Sequence, residues 1–142
     1  GGGGLISGLS LAIKAEFPDA QIYSAEPEHY DDTAQSIAAQ RIIAVEPKHK
    51  TICDAIMTPE PGELTFSIIR NLVSGGLVVS DKETRNAMCH AFNRLKLVVE
   101  PGGCVALAAL LSHKIDVKGK TVVAVCSGGN VDSALYAEIL AG

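Results

Sequence analysis

GGGGLISG, residues 1–8, places four consecutive glycines directly before an apolar segment, residues 5–17, that is rich in helix formers. Consecutive glycines let the backbone turn so that several N–H groups converge on one anion, and a following helix adds its positive N-terminus. Phosphate suits such a cradle. A flexible tag or a plain helix-entry turn is the alternative, because a single glycine motif is weak evidence.

Helical and extended segments alternate after this loop. We expect helices over residues 5–17, 31–41, 63–73, 80–96, 104–113 and 133–141, and extended segments over residues 21–25, 77–79, 97–99 and 121–126. Gly75 and Gly76 are expected to close the third helix, and Ser80 with Glu83 forms a capping box that opens the fourth. This alternation predicts an α/β fold, a layered and largely parallel sheet flanked by helices.

The glycine loop has no strand before it, although a loop of this kind normally follows one. We therefore expect the fold to be incomplete at its N-terminus and the chain to be part of a larger polypeptide. Hydrophobic residues make up 47% of the chain, so it is globular. No apolar run is long enough for a membrane span, and the net charge of -4 without a basic stripe argues against nucleic-acid binding.

The cysteines predict neither a zinc cage nor a disulfide framework. None of them lies in a C-x-x-C pair, and the chain has enough apolar material to form a core without cross-links. Reduced thiols of this kind are typical of a cytosolic protein, so we expect a cytoplasmic location. The four are Cys53, Cys89, Cys104 and Cys126.

Acidic residues follow the first predicted strand. Glu26 lies where a dinucleotide-binding fold places its ribose-binding acid, so a nicotinamide-dependent dehydrogenase is one interpretation. Pro27 and the pair Asp31-Asp32 weaken that interpretation. The pair could cap a helix. Alternatively, Glu26 and Asp32 could converge with carbonyl oxygens of the turn between them on Mg²⁺ or Ca²⁺.

A second glycine turn, Ser127-Gly128-Gly129-Asn130, follows the predicted strand 121–126. It could be an ordinary strand-to-helix turn. It is not the nucleophile elbow of a serine hydrolase, because Val125 stands where the G-x-S-x-G pattern needs glycine.

Taken together, these stretches resemble one family. They are GGGGLISG (1–8), AEPEHYDD (25–32), TICDAIMTPEPGELTFSIIRNLV (51–73), LKLVVEPGGCVALAALL (95–111) and CSGGNVD (126–132). The chain resembles the fold-type II pyridoxal-phosphate (PLP) enzymes, whose fold is like that of the tryptophan synthase β subunit. Within them it is similar to the serine/threonine dehydratases, serine racemases and hydroxyaspartate ammonia-lyases. The resemblance implies that residues 1–142 are the C-terminal portion of the catalytic fold, without a regulatory domain.

The resemblance also implies a role for individual residues. Gly1, Gly2, Gly3 and Gly4, with the amide of Leu5, would hold the PLP phosphate. Ser127 would hydrogen-bond the pyridine nitrogen, Asn130 would support the turn, and Glu100 would lie near the ring. Glu26, the carbonyl of Tyr30, and Asp32 would bind Mg²⁺, or Mn²⁺ or Ca²⁺. The chain departs from the family at Gly1, often Ser, at Tyr30, often a small residue, and at TICDAIM, usually TIADG.

The activity implied is a PLP-dependent ammonia-lyase that dehydrates and deaminates L-threonine, L-serine or 3-hydroxyaspartate to a 2-oxo acid and ammonia. None of the eight lysines lies in the family's S-x-K-x-R context. We therefore expect the Schiff-base lysine in a missing N-terminal half, and the chain alone to be inactive. We expect a homodimer. Serine racemisation, the dehydrogenase interpretation and a non-catalytic phosphate-binding remnant stay open as alternatives.

Overall fold

The computed structural model describes residues 1–142, with six α-helices and two β-strands. A 3₁₀ turn (Asp54–Ile56) and a π-helical turn (Ala91–Leu95) complete the regular structure. The elements are α1 (Gly4–Glu16), β1 (Tyr23–Pro27), α2 (Asp32–Ala39), α3 (Glu63–Leu72), β2 (Gly75–Val79), α4 (Asp81–His90), α5 (Pro101–Leu111) and α6 (Ser133–Ala141). All six predicted helices are confirmed, with ends that differ by a few residues.

The sheet consists of β1 and β2, which run parallel and pair from Tyr23 with Gly75 to Pro27 with Val79. A parallel pair needs a long crossover, and α2, the irregular residues 41–61 and α3 supply it. The α/β class and the parallel direction are therefore confirmed. The carboxyl end of β1 delivers Glu26 and Pro27 to the edge where α2 begins.

The prediction of a buried strand over residues 121–126 is wrong for this chain. The segment is extended but joins no ladder, and Val123 is 85% exposed. Residues 97–99 likewise join no strand. A run of β-branched residues forms a buried strand only when neighbouring strands supply hydrogen bonds, and neither strand of the chain pairs with this segment.

The two glycines expected to end α3 instead begin β2. The helix ends at Leu72, with Val73 extended at its C-cap. Packing requires glycine at position 76. A Cβ on Gly76 would lie 2.6 Å from the Cα of Ala34 in α2 and would also overlap the Cβ of Ala34. By contrast, the capping box of α4 is confirmed, with the Ser80 hydroxyl accepting from the Glu83 amide.

The larger core cluster lies between α4, α5 and the sheet. It includes Val79, Met88, Val99 and Ala108, and the small side chains of α5 let it pack closely against α4. A second cluster, Phe66, Ile69 and Val73, connects α3 to the neighbouring segments. None of the six helices combines the length and the apolar character that a membrane-spanning helix requires.

The packing at Gly76 predicts the effect of one added methyl group. Gly76→Ala should lower the free energy of unfolding by about 1–3 kcal/mol, because the new Cβ would overlap Ala34 and approach the Ser24 hydroxyl. Gly75→Ala is the matched control, since a Cβ there meets only the Tyr23 ring at 3.5 Å. Urea denaturation measures the stability of both variants. Equal midpoints would contradict the conclusion that close packing against Ala34 requires glycine at position 76.

Candidate active site

The glycine loop is held on one side and open on the other. Gly3 adopts a left-handed conformation, φ 89°, and a Cβ there would lie 2.7 Å from Ile69 Cδ1. The carbonyl of Gly2 accepts hydrogen bonds from the Gly62 amide at 3.2 Å and the Thr65 hydroxyl at 2.5 Å. At Gly2 and Gly4 a Cβ would meet nothing within 4 Å. The loop therefore packs on α3 and presents free space on its other face.

Helix α1 begins at this loop without any protein group to cap it. Its N-cap, Gly3, offers no side chain, and the first turn contains no acid. The first helical bond runs from Ser7 to Gly3, so the N–H groups of Gly4, Leu5 and Ile6 have no intrahelical acceptor. Three free donors at the positive end of a 13-residue helix suit a phosphate group.

The second glycine turn packs backbone against backbone on the start of α5. The Ser127 amide donates to the Gly103 carbonyl at 3.3 Å, and the Glu100 amide donates to the Gly128 carbonyl at 3.0 Å. A Cβ on Gly103 would lie 2.7 Å from Gly128 O, and a Cβ on Gly129 would lie 2.8 Å from the Val98 carbonyl oxygen. These contacts require glycine at both positions and fix the turn relative to α5.

The polar side chains of this turn have no partner in the chain. Ser127 and Asn130 are exposed, and neither side chain makes a hydrogen bond within the chain. The Glu100 carboxyl group reaches Gly128, where a Cβ would lie 2.9 Å from Glu100 Cδ. The Ser127 hydroxyl is therefore free to donate to a ring nitrogen, with a carboxylate beside the same turn.

Residues 51–58, which we call the bridging segment, lie against both the glycine loop and the first turn of α5, on which the second glycine turn packs. Ala55 O and Thr58 lie about 4 Å from a Cβ built on Gly1, while Ile56 and Ala55 lie 3.3–3.6 Å from one built on Gly102. The Thr58 hydroxyl is buried and has no hydrogen-bond partner. Sequence reasoning did not single out Thr58. Thr58 lies in the stretch of residues 51–73 that resembles the family, and this was the only sequence signal for it. Its position near Gly1 follows from the fold.

Glu26 caps α2 from the end of β1. Its Oε1 accepts from the Thr33 amide at 3.0 Å, and its Oε2 accepts from the Ala34 amide at 2.8 Å. The side chain of Asp31, at the N-cap position, makes no capping bond, so the helix-cap interpretation of the Asp31-Asp32 pair is wrong. Burial raises the pKa of Glu26, although these amide bonds oppose the shift.

Asp32 lies beside Glu26 and is 1% exposed. Its Oδ2 has no hydrogen-bond partner. Burial, followed by the charge of Glu26, raises the pKa of Asp32 to about 7. Between the two acids the chain turns tightly, with the Tyr30 amide donating to the Pro27 carbonyl at 3.1 Å and the Tyr30 ring buried.

Glu26 and Asp32 supply two buried carboxylates where β1 ends and α2 begins. No group of three His, Cys, Asp or Glu side chains is close enough to bind a metal ion. A cation here would therefore depend on two carboxylates and backbone carbonyl oxygens, a donor set suited to Mg²⁺ or Ca²⁺.

Comparison with known proteins identifies the family. Residues 1–128 match the family model "Pyridoxal-phosphate dependent enzyme". The chain is 42% identical over all 142 residues to the L-threo-3-hydroxyaspartate ammonia-lyase of Saccharomyces cerevisiae, and it covers 43% of that protein. It is 41% identical over 140 residues to the serine racemase of Schizosaccharomyces pombe, with 99% of this chain and 43% of that protein covered.

A solved structure shows the same fold. Maize serine racemase superposes with a TM-score of 0.86 at 40% identity, and the match covers 96% of this chain and 43% of that one. The chain belongs to the pyridoxal-phosphate-dependent enzyme family, with the fold of its type II members. It spans less than half the length of these relatives and matches their C-terminal part.

The dinucleotide-binding interpretation does not survive this comparison. Glu26 is buried, and both of its carboxylate oxygens accept hydrogen bonds from amides of α2, so its observed role is to cap that helix. The family match places the glycine loop with PLP enzymes instead.

The buried Asp32 predicts a pH dependence of stability without divalent cations. Its folded pKa, about 7, exceeds its ordinary value of 3.8, so the neutral form stabilises the fold. That contribution is complete below about pH 3.8 and is lost as the pH rises through about 7. With a chelator present, the free energy of unfolding should fall over this range. Asp32→Asn should remove on the order of 2 kcal/mol of that decline.

Chemical denaturation at several pH values measures this slope. Asp31→Asn is the control, because Asp31 is only partly buried and its side chain caps nothing. A slope that persists unchanged in Asp32→Asn would show that another group is responsible. Some slope should remain even so, because the pKa of Glu26 is also raised.

Proposed function

We propose that the protein containing this chain is a PLP-dependent ammonia-lyase acting on a β-hydroxy amino acid: L-threonine, L-serine or 3-hydroxyaspartate. The single observation behind the proposal is that the bridging segment contacts both the glycine loop, which is open to a phosphate, and the start of α5, on which the turn with the free Ser127 hydroxyl packs. The names of the relatives, a 3-hydroxyaspartate ammonia-lyase and a serine racemase, support this substrate class. Racemisation of serine is the second candidate.

Each end of the cofactor has a fitting group in the chain. The open glycines, with the free amides of Gly4 and Leu5, would bind the phosphate. The Ser127 hydroxyl would donate to the pyridine nitrogen. Asn130, in the same second glycine turn, and Glu100 beside it would lie near the ring, so we call residues 127–130 the ring-side turn. PLP supplies the electron sink that makes the α-proton of an amino acid removable.

Ser127 is a neutral partner for the ring nitrogen. An aspartate there would favour a protonated nitrogen by placing a negative charge beside it, whereas a hydroxyl only donates a hydrogen bond. Loss of a β-hydroxyl needs little charge storage in the ring, because the electrons leave with the hydroxyl group. A serine at this position therefore suits elimination.

The lysine that holds the cofactor and moves the α-proton would come from residues outside this chain. None of the lysines here has the family's sequence context, and the relatives are more than twice as long. We infer that residues 1–142 form the C-terminal part of the catalytic fold and act together with that preceding part, in an enzyme that is a dimer.

A cation site is a further part of the proposal. Glu26, the Tyr30 carbonyl and Asp32 would bind Mg²⁺, Mn²⁺ or Ca²⁺ close to the glycine loop, which we call the phosphate loop from here on. The unpartnered Oδ2 of Asp32 supports this, because a buried carboxylate oxygen without a donor is costly and a cation would satisfy it.

The role of Ser127 is tested in the intact enzyme. Ser127→Ala should weaken PLP binding about five- to tenfold and slow elimination, because it removes one neutral hydrogen bond to a buried nitrogen. Ser127→Thr keeps the hydroxyl and should retain most of the affinity. Ser133→Ala, on the exposed first turn of α6, is the control. If PLP affinity and deamination rate are unchanged in Ser127→Ala, Ser127 does not bind the cofactor and serves only the geometry of the turn.

The cation site is tested by thermal unfolding. Mg²⁺ or Ca²⁺ at about a hundred times its dissociation constant should stabilise the protein by about 2.7 kcal/mol and raise its Tm, because it binds only the folded state. Asp32→Asn with Glu26→Gln should abolish the shift, whereas Asp31→Asn should retain it. An equal response in the double variant would show that the ions bind elsewhere.

A further inference from the structure

The bridging segment, residues 51–58, has little regular structure of its own. Its single 3₁₀ turn is closed by the Ile56 amide donating to the Cys53 carbonyl at 3.1 Å. A segment without a helix or sheet ladder keeps its place through side-chain hydrogen bonds or through burial. Both are found at its start, where Cys53 is fully buried and residues 51 and 52 are bound by one carboxylate.

That carboxylate belongs to Asp81. Its Oδ1 accepts from the Thr51 hydroxyl at 2.5 Å, and its Oδ2 accepts from the Ile52 amide at 3.2 Å. The Thr51 oxygen in turn accepts from the Cys53 amide at 3.2 Å. One side chain therefore fixes three consecutive residues, and it uses both of its oxygens to do so.

Asp81 is itself held by the helix that it begins. It occupies the first position of α4, where the positive end of the helix dipole favours a carboxylate. The capping bonds of this helix are made by Ser80 and Glu83. Capping therefore does not compete for the oxygens of Asp81, which remain available to the bridging segment.

The far end of the bridging segment lies where we propose that the cofactor binds, between the glycine loop and the start of α5, a region that we call the cofactor cleft. Thr58 and Ala55 lie against Gly1 in the phosphate loop, and Ile56 lies against Gly102. Gly102 is next to Gly103, whose backbone contacts the ring-side turn. A shift of the bridging segment would therefore change the width of the cleft at both ends.

We propose that Asp81 is a positioning residue for the cofactor cleft: through Thr51 and Ile52 it sets the place of the bridging segment between the phosphate loop and the start of α5. It touches neither cofactor nor substrate. The inference rests on the proposed function for the identity of the cleft's ligand, but the positioning of the segment can be measured without that ligand.

The first experiment measures the segment in the intact enzyme without added PLP. In Asp81→Asn, which offers one acceptor oxygen in place of two, amide exchange at Ile52 and Cys53 should quicken about tenfold. Alkylation of the Cys53 thiol by iodoacetamide, quantified by mass spectrometry of its peptide, should quicken likewise. Thr51→Val should reproduce both effects, and Thr51→Ser, which keeps the hydroxyl, should reverse them.

Glu83→Gln is the matched control. It weakens the cap of the same helix and the ion pair with Lys114 but touches no atom of the bridging segment. It should lower global stability while leaving exchange at Ile52 and Cys53 as in the wild type. If Glu83→Gln loosens these amides as much as Asp81→Asn does, the effect is fraying of α4 and the proposal is overturned.

The second experiment measures PLP itself in the intact enzyme. Asp81→Asn and Thr51→Val should each raise the dissociation constant of PLP about tenfold while kcat at saturating PLP stays within about twofold, and Thr51→Ser should restore the affinity. Loosened amides with unchanged PLP affinity would show that the segment does not shape the cleft, which also overturns the proposal. If the wild-type enzyme does not bind PLP, the proposed function is refuted. The amide-exchange data still decide whether Asp81 positions the bridging segment.

Discussion

Contact of one backbone with another, permitted by missing side chains, is the constraint on which this structure depends. At Gly103 and Gly128 the first turn of α5 and the turn after residues 121–126 approach so closely that a Cβ on Gly103 would overlap the other main chain. The same device recurs where β2 meets α2 at Gly76. Contacts of this kind are rigid, because they contain no rotatable side chain that could adjust. The polar groups of the cleft are consequently placed by main chain, and only secondarily by their own rotamers.

Electrostatics governs the point where β1 ends and α2 begins. Two acids are buried side by side, and one of them serves as the N-terminal cap of α2 although it comes from the preceding strand. Its neighbour lacks any donor for one oxygen. Such an arrangement is costly in an isolated fold, and functional sites are where costs of this kind are usually retained.

The sequence predicted the helices well, because their signals are local, such as the capping box at Ser80 and the helix formers after the glycine loop. It failed where the outcome depends on distant partners. Residues 121–126 have strong strand propensity but no neighbour to pair with, and Gly75 and Gly76 looked like a helix end although α2 packing makes them part of a strand. In the candidate site, the glycine turns were recognisable as motifs. The parts played by Thr58 and Asp81 depend on contacts between residues far apart in sequence, which no local pattern encodes.

The exposed extended segment has a consequence for how the chain behaves at high concentration. Residues 121–126 are uncharged, rich in β-branched side chains and free of proline, and their backbone donors and acceptors are not engaged by any neighbouring strand. Those are the properties of a template on which strands of other molecules stack. An isolated chain would therefore present an unpaired edge to strands of other molecules, an edge that residues preceding this part of the fold are expected to cover.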